Sequence, residues 1–156
     1  MIPDAPEADS MVVKNYAMLC FGGVRLLIPQ ENVATVEASE EIAPASNVAG
    51  AIGSLLAEGG EWPVFVLNEK FEPRAECPPA YLFCVAVSCG NGGAFAIACD
   101  DVSKISITDG GGFVPLQACM RLPNGPIESL MPRNGKLLLL SDVDAMWQYL
   151  VQERAA

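Results

Sequence analysis

From Tyr16 onward the chain alternates short apolar runs with glycines, prolines and acidic pairs, a pattern of β-strands and tight turns rather than of long helices. Tyr16 to Phe21 and Val24 to Ile28 flank Gly22-Gly23. That arrangement predicts a hairpin, because glycine accepts the positive φ angles a tight turn demands. Val33 to Ala38 predicts a third strand after the polar turn Pro29 to Asn32. Ser46 to Leu56 reads as a loop with a single turn of helix, since Gly50 and Gly53 each weaken a helix by about 1 kcal/mol relative to alanine. Trp62 to Leu67 predicts a strand with Pro63 near its start, where a missing N–H is tolerated. Asn68 to Pro79, with Pro73, Pro78 and Pro79, is the most linker-like interior stretch and divides the chain near its midpoint.

Beyond it the β pattern resumes with Tyr81 to Val87, a turn at Cys89 to Gly93, Ala94 to Cys99, the pair Asp100-Asp101, and Val102 to Ile107. Asp109 to Gly112 reads as a further turn and Ile127 to Met131 as a short strand. Lys136 to Leu140 is apolar enough to predict a strand buried on both faces. The clearest helix is the last element: Ser141 stands three residues before Asp144 in capping-box spacing, and Val143, Met146, Trp147, Leu150 and Val151 form one apolar stripe. The expected organisation is a flexible acidic arm over 1–13 and one unit over 14–154. Within that unit, a first small barrel spans roughly 16–76, a second roughly 80–140, and a helix runs over 142–153.

Composition narrows the function. Of 156 residues, 51% are hydrophobic and 18% charged, which favours a packed globule over a disordered chain. The net charge is −10, from 19 acidic and 9 basic residues, and no predicted strand or helix concentrates lysine or arginine. Nucleic acid and anionic membrane surfaces are therefore disfavoured as partners, because both call for a basic stripe, and neither nucleic acid binding nor direct membrane insertion is expected. No apolar run approaches the length of a membrane span, and Met1 to Ser10 is acidic and proline-rich, unlike a secretory leader; a cytoplasmic protein is expected.

Histidine is absent, which removes the usual general base, the Ser-His and Cys-His nucleophile pairs and the commonest metal ligand. Six cysteines, at 20, 77, 84, 89, 99 and 119, form no C-x-x-C pair and read as reduced, buried small side chains. Cys84, Cys89 and Cys99 lack the ligand number and spacing of a structural zinc site. Asp100-Asp101 reads as turn chemistry, and Glu37, Glu40 and Glu41 as a solvated strand end. The glycines at 50 and 53 and at 110–112 lack the flanking elements and lysine of a phosphate cradle. No catalytic residue, metal or cofactor is expected. Two other classes remain as alternatives: a regulatory domain sensing a small ligand or thiol oxidation through Cys84 and Cys89, and an enzyme using Cys119 as a thiolate.

The order of three segments resembles the CheW family of coupling proteins from bacterial chemosensory arrays, over nearly all of Tyr16 to Leu150. They are Gly23 to Val36 (GVRLLIPQENVATV), Gly53 to Leu67 (GSLLAEGGEWPVFVL), and Phe95 to Ile107 (FAIACDDVSKISI) followed by Ile127 to Trp147 (IESLMPRNGKLLLLSDVDAMW). The resemblance implies an all-β fold of two five-stranded Src-homology-3-like barrels with a C-terminal helix. It also implies a non-catalytic adaptor that couples a histidine kinase regulatory domain to the cytoplasmic tip of a chemoreceptor, in chemotaxis or a pilus-type system. By position, the receptor groove would include Val33, Leu82 and Ile105, with Val36 and Glu58 completing the partner-binding set. Two departures stand out: Glu58 precedes Gly59 where the family commonly has arginine, and Thr35 stands where glutamate is common. An acid for a base reverses the local electrostatics, marking a divergent member.

Overall fold

The computed structural model describes residues 13–44, 46, 48–90, 92–108, 112–115 and 126–152. Its strands are β1 (Val13–Phe21), β2 (Val24–Pro29), β3 (Val33–Ala38), β4 (Gly53–Ala57), β5 (Gly60–Phe65), β6 (Phe83–Ser88), β7 (Ala94–Cys99), β8 (Asp101–Thr108), β9 (Val114–Pro115), β10 (Ile127–Arg133) and β11 (Lys136–Ser141). A short helix α1 (Val143–Trp147) follows and widens into a π-type turn over Gln148–Gln152. The strands form two curled sheets, in the orders β8-β1-β2-β11-β10-β9 and β3-β6-β7-β5-β4. This is the expected all-β architecture, with the first sheet six strands wide because it gains the two-residue β9.

The hairpin predicted at Gly22-Gly23 forms as expected, with φ of 54° and 83° at the two glycines and Phe21 paired to Val24. Several boundaries differ. Val13 already belongs to β1, and the rest of the expected arm, residues 1–12, lies outside the described residues. The loop expected over Ser46 to Leu56 ends in strand β4, which pairs with β5 across Glu58-Gly59. Both turn residues have positive φ, 49° and 79°, the geometry of a two-residue hairpin turn that follows the right-handed strand twist. The turn expected at Asp109 to Gly112 lies mostly outside the described residues.

The division into a 16–76 and an 80–140 barrel is overturned by the pairing. The six-stranded sheet takes β1 and β2 from the start of the chain and β8 to β11 from its second half, while the five-stranded sheet is the contiguous span β3 to β7. The first hairpin finds its partners far along the sequence: β1 lies antiparallel to β8, with Tyr16 opposite Ile105, and β2 lies parallel to β11, with Leu26 opposite Leu139. A reading based on neighbouring runs assigns consecutive strands to one sheet, and these long-range ladders do otherwise.

Asn68 to Pro79 is consequently no linker but the β5–β6 connection inside the five-stranded unit. Asn68 Oδ1 accepts from the N–H groups of Lys70 and Glu72, Arg74 N–H donates to Val66 O at 2.6 Å, and the buried Phe71 ring packs edge-on against Phe21, 5.9 Å between centroids. The five-stranded sheet closes on itself beyond β3, where Ala43 and Ser54 exchange both backbone hydrogen bonds at 2.8 Å.

Two apolar clusters result. The larger joins both sheets and α1 through Leu19, Phe21, Leu26, Phe65, Val85, Phe95, Ile97, Met146 and Leu150. The smaller lies on the opposite face of the β1–β2 hairpin and holds Tyr16, Leu27, Ile107, Met131 and Leu138, and Phe113 stands edge-on to Tyr16 at 6.0 Å. Strand β11 is packed on both faces as its composition predicts, Leu139 against the larger cluster and Leu138 and Leu140 in the smaller, but its first two residues, Lys136 and Leu137, beside the β10–β11 turn, are exposed.

The predicted apolar stripe of the C-terminal helix is present, with Val143, Met146 and Leu150 buried and Trp147 and Val151 partly so. Its cap differs from the expected one. Asp142 is the cap, its carboxylate accepting from Asp144 and Ala145 N–H, whereas Ser141 ends β11 and donates its hydroxyl to Leu27 O at 3.3 Å. The indole of Trp147 lies on Gly93, where an added Cβ would come within 2.6 Å of the ring.

Two stability outcomes are expected. A Cβ at Gly53 would collide with the Ala43 carbonyl in the closing bridge, so Gly53→Ala should lose about 1–3 kcal/mol in urea unfolding. Met146→Ala should cost about 2–5 kcal/mol, and Trp147→Ala less, because Met146 is fully enclosed and Trp147 is not; paired thermal and chemical denaturation curves check the order.

Candidate functional site

The residues assigned by position to a single groove do not share one. Val33 begins β3 and packs against the larger cluster, whereas Ile105 lies on β8 and packs against the smaller one. Leu82 lies one residue before β6, 58% exposed, its carbonyl accepting from Ser39 N–H. Val36, opposite Val85 on β3, is 44% exposed. Glu58 forms the solvent-exposed tip of the β4–β5 hairpin, close to the exposed Leu56.

What the fold does bring together is an apolar margin. Strand β3 is the edge of its sheet, and its register with β6 puts Val36 opposite Val85 and Ala38 opposite Phe83. Val36, Ala38 and Phe83 thus share one face, all at least partly open to solvent, with Leu82 adjoining. A sheet edge with apolar side chains open to solvent is a surface that soluble proteins ordinarily blunt with charge. On the alternate face, Thr35 Oγ1 donates to the Glu37 carboxylate at 2.6 Å, which ties that acid down locally.

A second feature was not legible from spacing. Met18, Ile105 and Leu138 form the floor, and Arg25, Arg133, Asn134 and Lys136 the rim, of a groove of about 320 Å³ at one end of the six-stranded sheet. Three strand pairings assemble it: β1 with β8, β2 with β11, and the β10–β11 hairpin, which turns at Asn134-Gly135 with both φ positive.

The cysteines are placed for packing. Burial pushes the thiols of Cys84 and Cys89 up to about 12, helped by the negative charges of Glu37 and Cys77 at Cys84 and of Asp144 and Asp142 at Cys89. Burial likewise raises Cys99, Cys20 and Cys77, with Arg25 and Lys136 opposing the rise at Cys20 and Arg74 opposing it at Cys77. Cys119 lies outside the described residues. Among the described residues no three carboxylates or thiols are grouped to hold a metal ion, and no helix is long and apolar enough to cross a membrane.

Two joined, curled sheets with a capping C-terminal helix have a counterpart among solved structures. The chain folds like a CheW scaffolding protein. The crystal structure of the scaffolding protein TtCheW from Thermoanaerobacter tengcongensis matches with a TM-score of 0.68 at 14% sequence identity, covering 84% of this chain and 90% of that one. No family model and no curated protein matches by sequence. The CheW-like fold is thereby shared while most side chains differ.

The raised thiols set a pH dependence. A thiol whose folded pKa exceeds its unfolded value stabilises the fold below about pH 9 and loses that contribution as pH rises toward 12. The urea midpoint should therefore fall across that window, and the fall should be shallower in Cys84→Ala/Cys89→Ala.

Proposed function

We propose that this chain is a non-catalytic scaffold that couples a chemosensory histidine kinase, through its regulatory domain, to the cytoplasmic tip of a chemoreceptor. The output is chemotaxis or a pilus-type system in a bacterial cytoplasm. The observation that carries this reading is the exposed apolar margin Val36–Leu82–Phe83 on a fold shared with a scaffolding protein. A fold whose thiols are held protonated and whose margin is left apolar offers surfaces for association more readily than groups for chemistry.

Its energetics follow the usual division of an interface, with a few buried apolar anchors contributing most of the affinity inside a polar rim. Val36 and Phe83 are the anchors, being apolar, neighbouring and reachable. Glu58 lies at a hairpin tip, where a carboxylate in place of a guanidinium selects a partner with complementary basic charge. The alternative of thiol sensing through Cys84 and Cys89 is disfavoured by their burial and raised pKa, which leave little thiolate to react.

Co-purification with the kinase regulatory domain and with a receptor-tip fragment tests the proposal. Val36→Asp/Phe83→Asp should weaken capture of at least one partner by about tenfold or more, with the circular dichroism spectrum and melting curve of a folded protein. Undiminished capture of both partners by the folded double variant would show that the margin is not the contact, and capture of neither by the wild-type chain would remove the scaffold reading itself.

A further inference from the structure

The chain carries only nine basic residues against nineteen acidic ones, yet three of the nine, Arg25, Arg133 and Lys136, rim the groove that Met18, Ile105 and Leu138 floor. Among the described residues none of these three cations is held in an ion pair. Asp101 stands nearest by register, across Cys20 from Arg25, and Asp100 beside it; both act on the Cys20 thiol together with Arg25 and Lys136. The local field is thus a cationic rim set in an otherwise acidic surface.

We propose that this groove docks an acidic polypeptide segment of a partner protein, with one apolar side chain seated on Ile105 and Leu138 and flanking carboxylates on Arg25, Arg133 and Lys136. Three features favour that occupant. The floor is apolar and accepts a hydrocarbon side chain. The rim offers two guanidinium groups, which bind carboxylates through paired N–H donors. The net charge of −10 repels an acidic segment from the remaining surface, so attraction confined to one place fixes where it lands and steers its approach. This rests on the scaffold reading only in taking the segment from a protein partner, and it assigns a contact distinct from the Val36–Phe83 margin.

The test uses the full chain with isotope-labelled methyl groups and a synthetic peptide carrying one leucine between two pairs of glutamates. Titration should shift the Ile105 and Leu138 methyl signals. The interaction should weaken about tenfold in Arg133→Glu/Lys136→Glu, two exposed positions whose change leaves the core untouched, and should fade as salt rises from ~0.05 to ~0.5 M. Replacing the leucine by serine should also weaken it. Equal binding of a peptide with lysines for glutamates, shifts confined to other methyls, or indifference to the double charge reversal would each overturn the proposal. So would binding that emerges only after residues 2–12 are removed, because the groove would then belong to the chain's own acidic arm. Loss of partner capture in Val36→Asp/Phe83→Asp together with no peptide binding would leave the scaffold reading standing and remove this one.

Discussion

The pairing of the first hairpin with strands from the far end of the chain is the constraint on which the rest of the molecule depends. β1 and β2 cannot bury both faces by themselves: Leu19, Phe21, Leu26 and Ile28 belong to the larger cluster, and Tyr16 and Leu27 to the smaller. Alternation along a strand sends these two sets to opposite sides. The hairpin is therefore the wall between the clusters, and it is complete only when β8 covers one edge and β11 the other. Ladders of this sequence separation cost loop-closure entropy before they return any contact, so the two ends of the fold should form together or not at all.

The same wall explains where the surfaces of interest lie. The groove around Ile105 exists because β8 and β11 meet the hairpin at register positions that set Arg25 beside Leu138 and place Ile105 on β8, two strands from Arg25. The apolar margin exists because β3 stays an edge along Val33–Ala38 and the sheet closes only later, at Ala43 and Ser54. Closure at that point demands a residue without a side chain at position 53. The two surfaces lie on different sheets.

The cysteines illustrate how burial decides chemistry. Cys84 and Cys99 line adjacent strands of the five-stranded sheet, and Cys89 closes the β6–β7 turn with its Sγ against the Val143 carbonyl at 3.6 Å. In such positions a thiol behaves as a small apolar group with a weak donor. Its raised pKa expresses the cost of charging it away from water.

The chain's own pattern determined most of the local structure: the Gly22-Gly23 hairpin, the strands at Val33–Ala38 and Ala94–Cys99, and the apolar stripe from Val143 to Val151 all follow from periodicity and turn chemistry acting over a few residues. Strand β4 was hidden because Gly50 and Gly53 make Ser46 to Leu56 read as a loop, while its pairing partner supplies the stability that propensity does not. Only the tertiary structure decided which strands share a sheet, that the proline-rich middle is an anchored connection, that Val33 and Ile105 serve different clusters, and that three scattered cations meet over one apolar floor. Those outcomes depend on register between segments many residues apart, and no pattern within one segment encodes the partner it will find.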